Sequence, residues 1–280
     1  LLGITLLVCM SLQGLGQTDV SGVISTNTTW TAAGSPYNVT GNVLVNSGVK
    51  LTVDPGVTVN VSDSKKITIE GTIESLGTKS DSIKFTGSNW TGFYIDYNSN
   101  GSIFKYTIFE STYGNSNTGS YYYNNSQVAL QMYGTLFERG RITNLNYVTF
   151  SSISNVSSSE SHLLYSKVTD CTSLTIQGNY NTSNSYIGGS YVTTTTRNIS
   201  TAKGNSISNI QSISLYNNTI FSNNKVVAAE YTNGNGLLNI DNATVEANII
   251  QGNGNGTGVY FRSGSESTST YTDGSYVYSY

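Results

Sequence analysis

Between Val49 and Glu74, apolar and polar residues alternate strictly, and the alternation is cut every few residues. Val49, Leu51 and Val53 alternate with Lys50, Thr52 and Asp54; Val57, Val59 and Val61 alternate with Thr58 and Asn60. Ile67 and Ile69 then alternate with Thr68 and Glu70, followed by Gly71 and Ile73. A period of two sends one set of side chains to a buried face and the other to water. Asp54-Pro55-Gly56 separates the first two runs: Pro is preset for the second position of a turn, and Gly takes positive φ at the next. Runs of about three to five residues cannot hold together as isolated hairpins, so each needs many neighbours.

Composition narrows how those neighbours are supplied. The chain has 280 residues, of which 10% are charged, with a formal net charge of -3. Ser, Thr and Asn make up roughly two residues in five, and Tyr is 21 against 8 Phe. Ser, Thr, Asn, Gly and Tyr are middling to poor helix formers, which argues against a helical protein. The 37% hydrophobic content in alternating runs is enough for a core and argues against disorder. Without a basic excess, a nucleic-acid partner has no electrostatic support. Two cysteines and one histidine exclude a disulfide scaffold and a multi-His or Cys-rich zinc site.

Repetition supplies the neighbours. Asn205-Ser206-Ile207-Ser208-Asn209, Asn217-Asn218-Thr219-Ile220-Phe221-Ser222-Asn223-Asn224 and Ala247-Asn248-Ile249-Ile250-Gln251-Gly252-Asn253 share one form: Asn, a small or apolar residue, a β-branched residue, then a polar residue and Asn. Weaker copies stand at Asn146 to Phe150 and Ser166 to Cys171. Their spacing, roughly 13 to 35 residues, lies in or near the solenoid range. Asparagine suits such corners, because it tolerates left-handed backbone and stacks in ladders from coil to coil.

The segment Trp30 to Phe109 resembles the opening of bacterial secreted right-handed parallel β-helix repeat proteins of the pectate-lyase-like superfamily. The matching pieces are Ser35 to Asn42, Gly48 to Val57, Ile69 to Ile73, Trp90 to Ile95 and Gly101 to Ile108. The resemblance implies an all-β, right-handed parallel β-helix and an extracytoplasmic address. It implies no single activity, because the fold carries lyases, hydrolases, adhesins and inert stalks. At ~20–25 residues per coil the chain gives roughly eleven coils, a rod ~50 Å long. We expect residues 1–16 to be a signal peptide lacking its n-region, 17–48 an N-terminal cap and first coil, 49–262 the helix proper, and 263–280 a truncated Ser/Thr/Tyr-rich tail. The leader reading rests on the apolar run Leu1 to Met10 followed by Gly14-Leu15-Gly16. Val8 departs from the small residue expected before a lipidated Cys9. Cleavage after Gly16 leaves Cys171 alone, which predicts a buried, reduced, unreactive thiol.

Candidate chemistry is sparse. Phe137-Glu138-Arg139-Gly140-Arg141 is the densest charged stretch, so Glu138, Arg139 and Arg141 are the candidates for a catalytic role on an anionic glycan. Read as structure alone, the same stretch is a solvated loop with an Arg–Glu pair. A glycosidase needs two carboxylates ~5 to 9.5 Å apart; Glu70 and Glu74 come closest, in an early regular coil. His162, in the Ser-rich stretch 157–162, reads as a loop residue. Tyr121, Tyr122 and Tyr123 are candidates for stacking on sugar rings. Phe221 to Asn224 fits a single F-x-x-N element of β-helix adhesins. No cofactor is specified; Ca²⁺ would be held weakly by Asp and Asn at turns, without a motif, and no metal site is expected.

These readings lead to a secreted or cell-surface, non-catalytic module, an adhesin or stalk in contact with polysaccharide or another surface component. Neither nucleic acid nor membrane insertion after signal cleavage is expected. The alternative is a polysaccharide lyase or glycoside hydrolase of the same fold, acting on a cell-wall or matrix polysaccharide.

Overall fold

The computed structural model describes residues 16–112, 129–152, 159–187, 190–228 and 237–251, with short strands at 259–261, 266–267, 270–273 and 276–279. Side chains are described within these ranges up to residue 178 and from 199 to 251. The described residues are all-β. A single 28-stranded sheet winds through them, with one 3-10 turn at Ala32–Gly34 and no α-helix.

Three parallel ladders run along the molecule, and the chain visits them in rotation. On the first face, Tyr37, Val59, Phe85, Phe109, Ile142, Val168, Ile207, Val226 and Ile250 pair in turn. The second face stacks Val43, Ile67, Phe93, Leu130, Val148, Leu174, Ile213 and Leu238. The third stacks Trp30, Val53, Ser75, Phe104, Phe137, Leu163, Ala202, Phe221 and Val245. This is a three-sided parallel β-solenoid. Turns vary from 19 residues (Asn205 to Asn224) to 39 (Ser166 to Asn205). The long turn contains an antiparallel hairpin, Asn179–Ile187 with Ser190–Asn198, that stands outside the main sheet.

Every inward residue expected from the alternation is buried: Val49, Leu51, Val53, Val57, Val59, Val61, Ile67 and Ile69 all belong to one core. Phenylalanines thicken that core in its middle turns. Phe85 and Phe109 stack with centroids 4.9 Å apart, and Phe93, Phe104, Phe137 and Phe150 continue the contact. Parallel pairing begins at Thr18–Ile24. Trp30 lies on the third face, buried and stacked on Tyr37 at 5.0 Å.

Polar ladders run inside the corners. Asn205, Asn224 and Asn248 occupy the same corner position on successive turns, between the third and first faces. The backbone N–H and Nδ2 of Asn205 both donate to Asn224 Oδ1 at 2.9 Å. Asn224 repeats this on Asn248 at 2.8 and 2.9 Å, and Asn205 Oδ1 accepts from the Ser166 N–H. Each remaining Nδ2 bond closes on a backbone carbonyl, of Leu163, Ala202, Phe221 or Glu246. A hydroxyl ladder does the same work at the start of the third face, where Ser102, Thr135, Ser161, Ser200 and Thr219 are buried in register. Ser161 Oγ, for example, accepts from the Thr135 N–H and donates to Ser151 O. Buried polar groups survive here because each is bonded.

Candidate functional site

The charged stretch 137–141 is not a loop. Thr135–Glu138 is a strand of the third face, Arg141–Thr143 is a strand of the first, and Arg139-Gly140 is the corner between them. Phe137 points into the core. The sequence misleads here because the apolar–polar alternation breaks: Thr135 and Phe137 face in while apolar Leu136 faces out, so Leu136-Phe137 shows no period of two. Arg139 sits in left-handed backbone with φ 54°.

The charges are compensated across turns. Glu138 lies between Lys105 (3.3 Å) and Arg139 (3.2 Å). Glu110, which the sequence analysis did not single out, lies between Lys84 (2.5 Å) and Arg141 (3.5 Å). Arg139 is the chain neighbour of Glu138, but Lys84, Lys105 and Arg141 lie 26 to 33 residues from their partners, and only the stacking of turns brings those together. Direct register joins Lys105 to Glu138, and Ile108, two residues before Glu110, to both Lys84 and Arg141. The basic side chains are 37% to 52% exposed, so each pair contributes little, about 0–1 kcal/mol. Glu74 forms a similar pair with Lys50 at 3.2 Å on the third face, and Glu70 is exposed at a corner.

His162 also departs from the loop reading. It lies in the strand Ser161–Leu164, in register with Leu136 and Thr201, with Nε2 3.1 Å from Glu160. Its inward neighbours Ser161 and Leu163 are buried, so His162 faces out by alternation. Phe221 and Asn224 of the F-x-x-N element are both internal, one in the core and one in the asparagine ladder. Tyr121, Tyr122 and Tyr123 lie outside the described residues. Among the described residues, no group of three or more His, Cys, Asp or Glu side chains is placed to hold a metal. No described helix is long and apolar enough to cross a membrane.

The second face has a different surface. Thr68, Tyr94, Gln131, Thr149, Thr175, Ser214 and Asn239 follow one another in direct register, one per turn, all facing out. From Ala129–Tyr133 through Tyr147–Ser151, Ser173–Gln177 and the segment Ser212 to Tyr216, this face has no charged side chain. Tyr133, Tyr147 and Tyr216 flank the column, and Gln131 Nε2 donates to Tyr133 Oη at 3.0 Å. Tyr94 Oη donates to Thr91 O, and burial pushes its phenol above the usual tyrosine value. Composition predicted hydroxyls and amides on the surface; which of them fall in one line depends on turn lengths that the sequence does not show. Compared with protein-family models, curated proteins and solved structures, the chain has no match.

Proposed function

We propose that this chain is a non-catalytic module of a secreted or surface-displayed protein, an adhesin or stalk that contacts glycans along its second face. The observation that carries the proposal is the neutral column from Thr68 to Asn239. It offers one hydroxyl or amide per turn at the strand spacing of ~4.8 Å, with tyrosine rings beside it. Such groups hydrogen-bond sugar hydroxyls, and tyrosine gives an apolar face with a wet tip. The flat surface favours weak, repeated contact over the enclosed binding typical of small-molecule sites. The paired state of Glu138, Arg139, Arg141 and Glu110 supports a structural role for the charged stretch. For the solenoid itself, right-handed coiling is the reading supported by the strong preference of parallel crossovers, and the ladders are compatible with roughly eleven coils.

The test is a panel of neutral polysaccharides titrated against the wild-type protein and Tyr147→Ala/Gln131→Ala. Binding that weakens in the double variant is the expected result, with no new reducing ends or unsaturated products. Absence of any glycan binding would overturn the module's proposed contact. Turnover lost in Arg139→Ala or Glu138→Gln would replace the non-catalytic reading by the lyase or hydrolase.

A further inference from the structure

The edge between the third and first faces carries a row of cations that the neutral second face does not explain. Lys84, Lys105, Arg141, Lys167, Lys203 and Lys225 come from six consecutive turns. Lys105 and Lys203 end strands of the third face; Arg141, Lys167 and Lys225 begin strands of the first, and Lys84 is the second residue of one. Arg141 and Lys167 are direct partners on neighbouring strands. Lys167, Ser206 and Lys225 continue that column, and Lys203 fills the Ser206 turn from the other side of the corner. The row extends over five strand spacings, about 24 Å.

Two further observations single out this edge. Like charges directly opposite one another destabilise a sheet. Glu110 and Glu138 offset the first half of the row. In the second half, exposed Lys167, Lys203 and Lys225 have no ion pair among the described residues, and the nearest acid in the register is exposed Glu246 on the following turn. The corner backbone is also unusual. Gly204 and Asn223 use the left-handed conformation that suits them (φ 68° and 54°), but the three preceding corners place Tyr106, Arg139 and Tyr165 in it, at φ 46°, 54° and 49°. Bulky residues rarely adopt this conformation, and strained positions of this kind gather at functional sites. Tyr165 is 53% exposed, and its ring lies over Gly204, where a Cβ would meet ring carbon Cδ1 at 2.6 Å. Tyr106, Arg139 and Tyr165 thus hold the same corner position on successive turns, beside the cations.

From this we infer a second binding strip, for a linear acidic polysaccharide lying parallel to the solenoid axis along this edge. One cation per strand spacing matches an extended chain carrying one anionic group per sugar. The tyrosines offer stacking faces for the rings, and outward Thr169 and Ser208 offer hydroxyl contacts. A nucleic acid is disfavoured by the net charge of -3 and by the two carboxylates embedded in the row. The anion is a carboxylate or a sulfate, and the same row would read either. The strip is separate from the second face, so each can fail alone.

The experiment titrates the full chain with alginate, dextran sulfate, neutral dextran and a single-stranded oligothymidylate at two salt concentrations. The variants are Lys167→Gln/Lys203→Gln/Lys225→Gln and, as control, Lys65→Gln on another corner. All four side chains are outside the core, and melting curves check the fold. The expected result is binding of alginate or dextran sulfate that falls with added salt. Affinity should drop about fivefold per lysine removed, roughly a hundredfold in the triple variant, and stay unchanged in the control. Alginate alone would assign the strip to carboxylates, dextran sulfate alone to sulfates. Anionic binding that ignores the triple substitution would overturn the inference, as would binding of dextran alone, which leaves the second-face proposal standing. Oligothymidylate bound as tightly as the polysaccharides would reassign the strip to nucleic acid. Should the triple variant melt early, the single Lys203→Gln variant and the wild-type salt dependence decide.

Discussion

At the scale of single residues the alternation makes strong commitments. Val59 lies between Tyr37 and Phe85 on the first face with none of its surface exposed. Val59→Asp would bury an unpaired carboxylate among apolar neighbours and should destabilise by about 4 kcal/mol or more; a melting temperature unchanged from wild type would contradict the burial. Cys171 follows Val168 at an odd step because Asp170 takes a left-handed turn, φ 57°, that swings the thiol inward. It is buried, its Sγ donates to Thr169 O at 3.3 Å, and burial pushes its pKa from 9.0 up to about 12. Below pH 9 the thiol is protonated whether the chain is folded or not. Between 9 and about 12 only the unfolded chain releases the proton, so stability falls as pH rises through that window. Wild-type protein should therefore lose more melting temperature between pH 8 and about pH 10.5 than Cys171→Ala does. Native thiol should also resist labelling at pH 8. Burial of both residues was legible in the sequence from period and from solitude. The inward swing at Asp170 was legible only as a break in the period.

Among the elements, corners decide more than strands. Asn223 and Asn224 are adjacent and identical in type, yet one turns the backbone and the other bonds inside the corner. Asn224→Ala would strand the Asn205 donors, the Ala202 carbonyl and the Asn248 acceptor, and should cost about 2–4 kcal/mol. Asn223→Ala loses only the left-handed preference, about 1–2 kcal/mol. Asn223→Gly should be close to neutral, because Gly accepts positive φ freely. Chemical denaturation of the three variants checks the order, and equal losses at 223 and 224 would refute the division of roles. Gly71 is fixed for a different reason. A Cβ there would collide with the carbonyl oxygens of Val49 and Asn46, where the previous turn passes close. The repeat of Asn was visible in sequence; which Asn of each pair goes inward was not, since both satisfy the same local pattern.

For the whole molecule, each turn contacts mainly its two neighbours, so stability is a sum over turns and interfaces. The two halves differ in content. The turns from Phe85 to Phe150 share a continuous phenylalanine stack, while the later turns rely on Ile, Leu, Ala202 and Ala243 and on the asparagine ladder. Both tryptophans, Trp30 and Trp90, are buried in the earlier part, at 2% and 1% exposure. Their emission should be blue-shifted in the native protein and should report only the early turns, whereas far-UV circular dichroism averages over all. In a denaturant titration we expect the fluorescence midpoint above the dichroism midpoint. Coincident curves would show that the rod unfolds as one unit.

The sequence alone determined the all-β class, the short strands, the inward Val and Ile columns and the use of Asn at corners. All of these follow from a period of two and from residue preferences that act within a few bonds. Only the tertiary structure decided which turns stack on which. The turns differ in length from 19 to 39 residues, so no fixed offset in the sequence predicts that Lys105 meets Glu138, that Lys84 and Arg141 share Glu110, or that Arg141 abuts Lys167. It also moved His162 and Glu138 from expected loops into strands, because a parallel ladder supplies hydrogen bonds to segments too short to declare themselves. Surface chemistry on a solenoid is written across turns. The charged edge and the neutral face therefore exist only once register is set, and register is a property of the packed core.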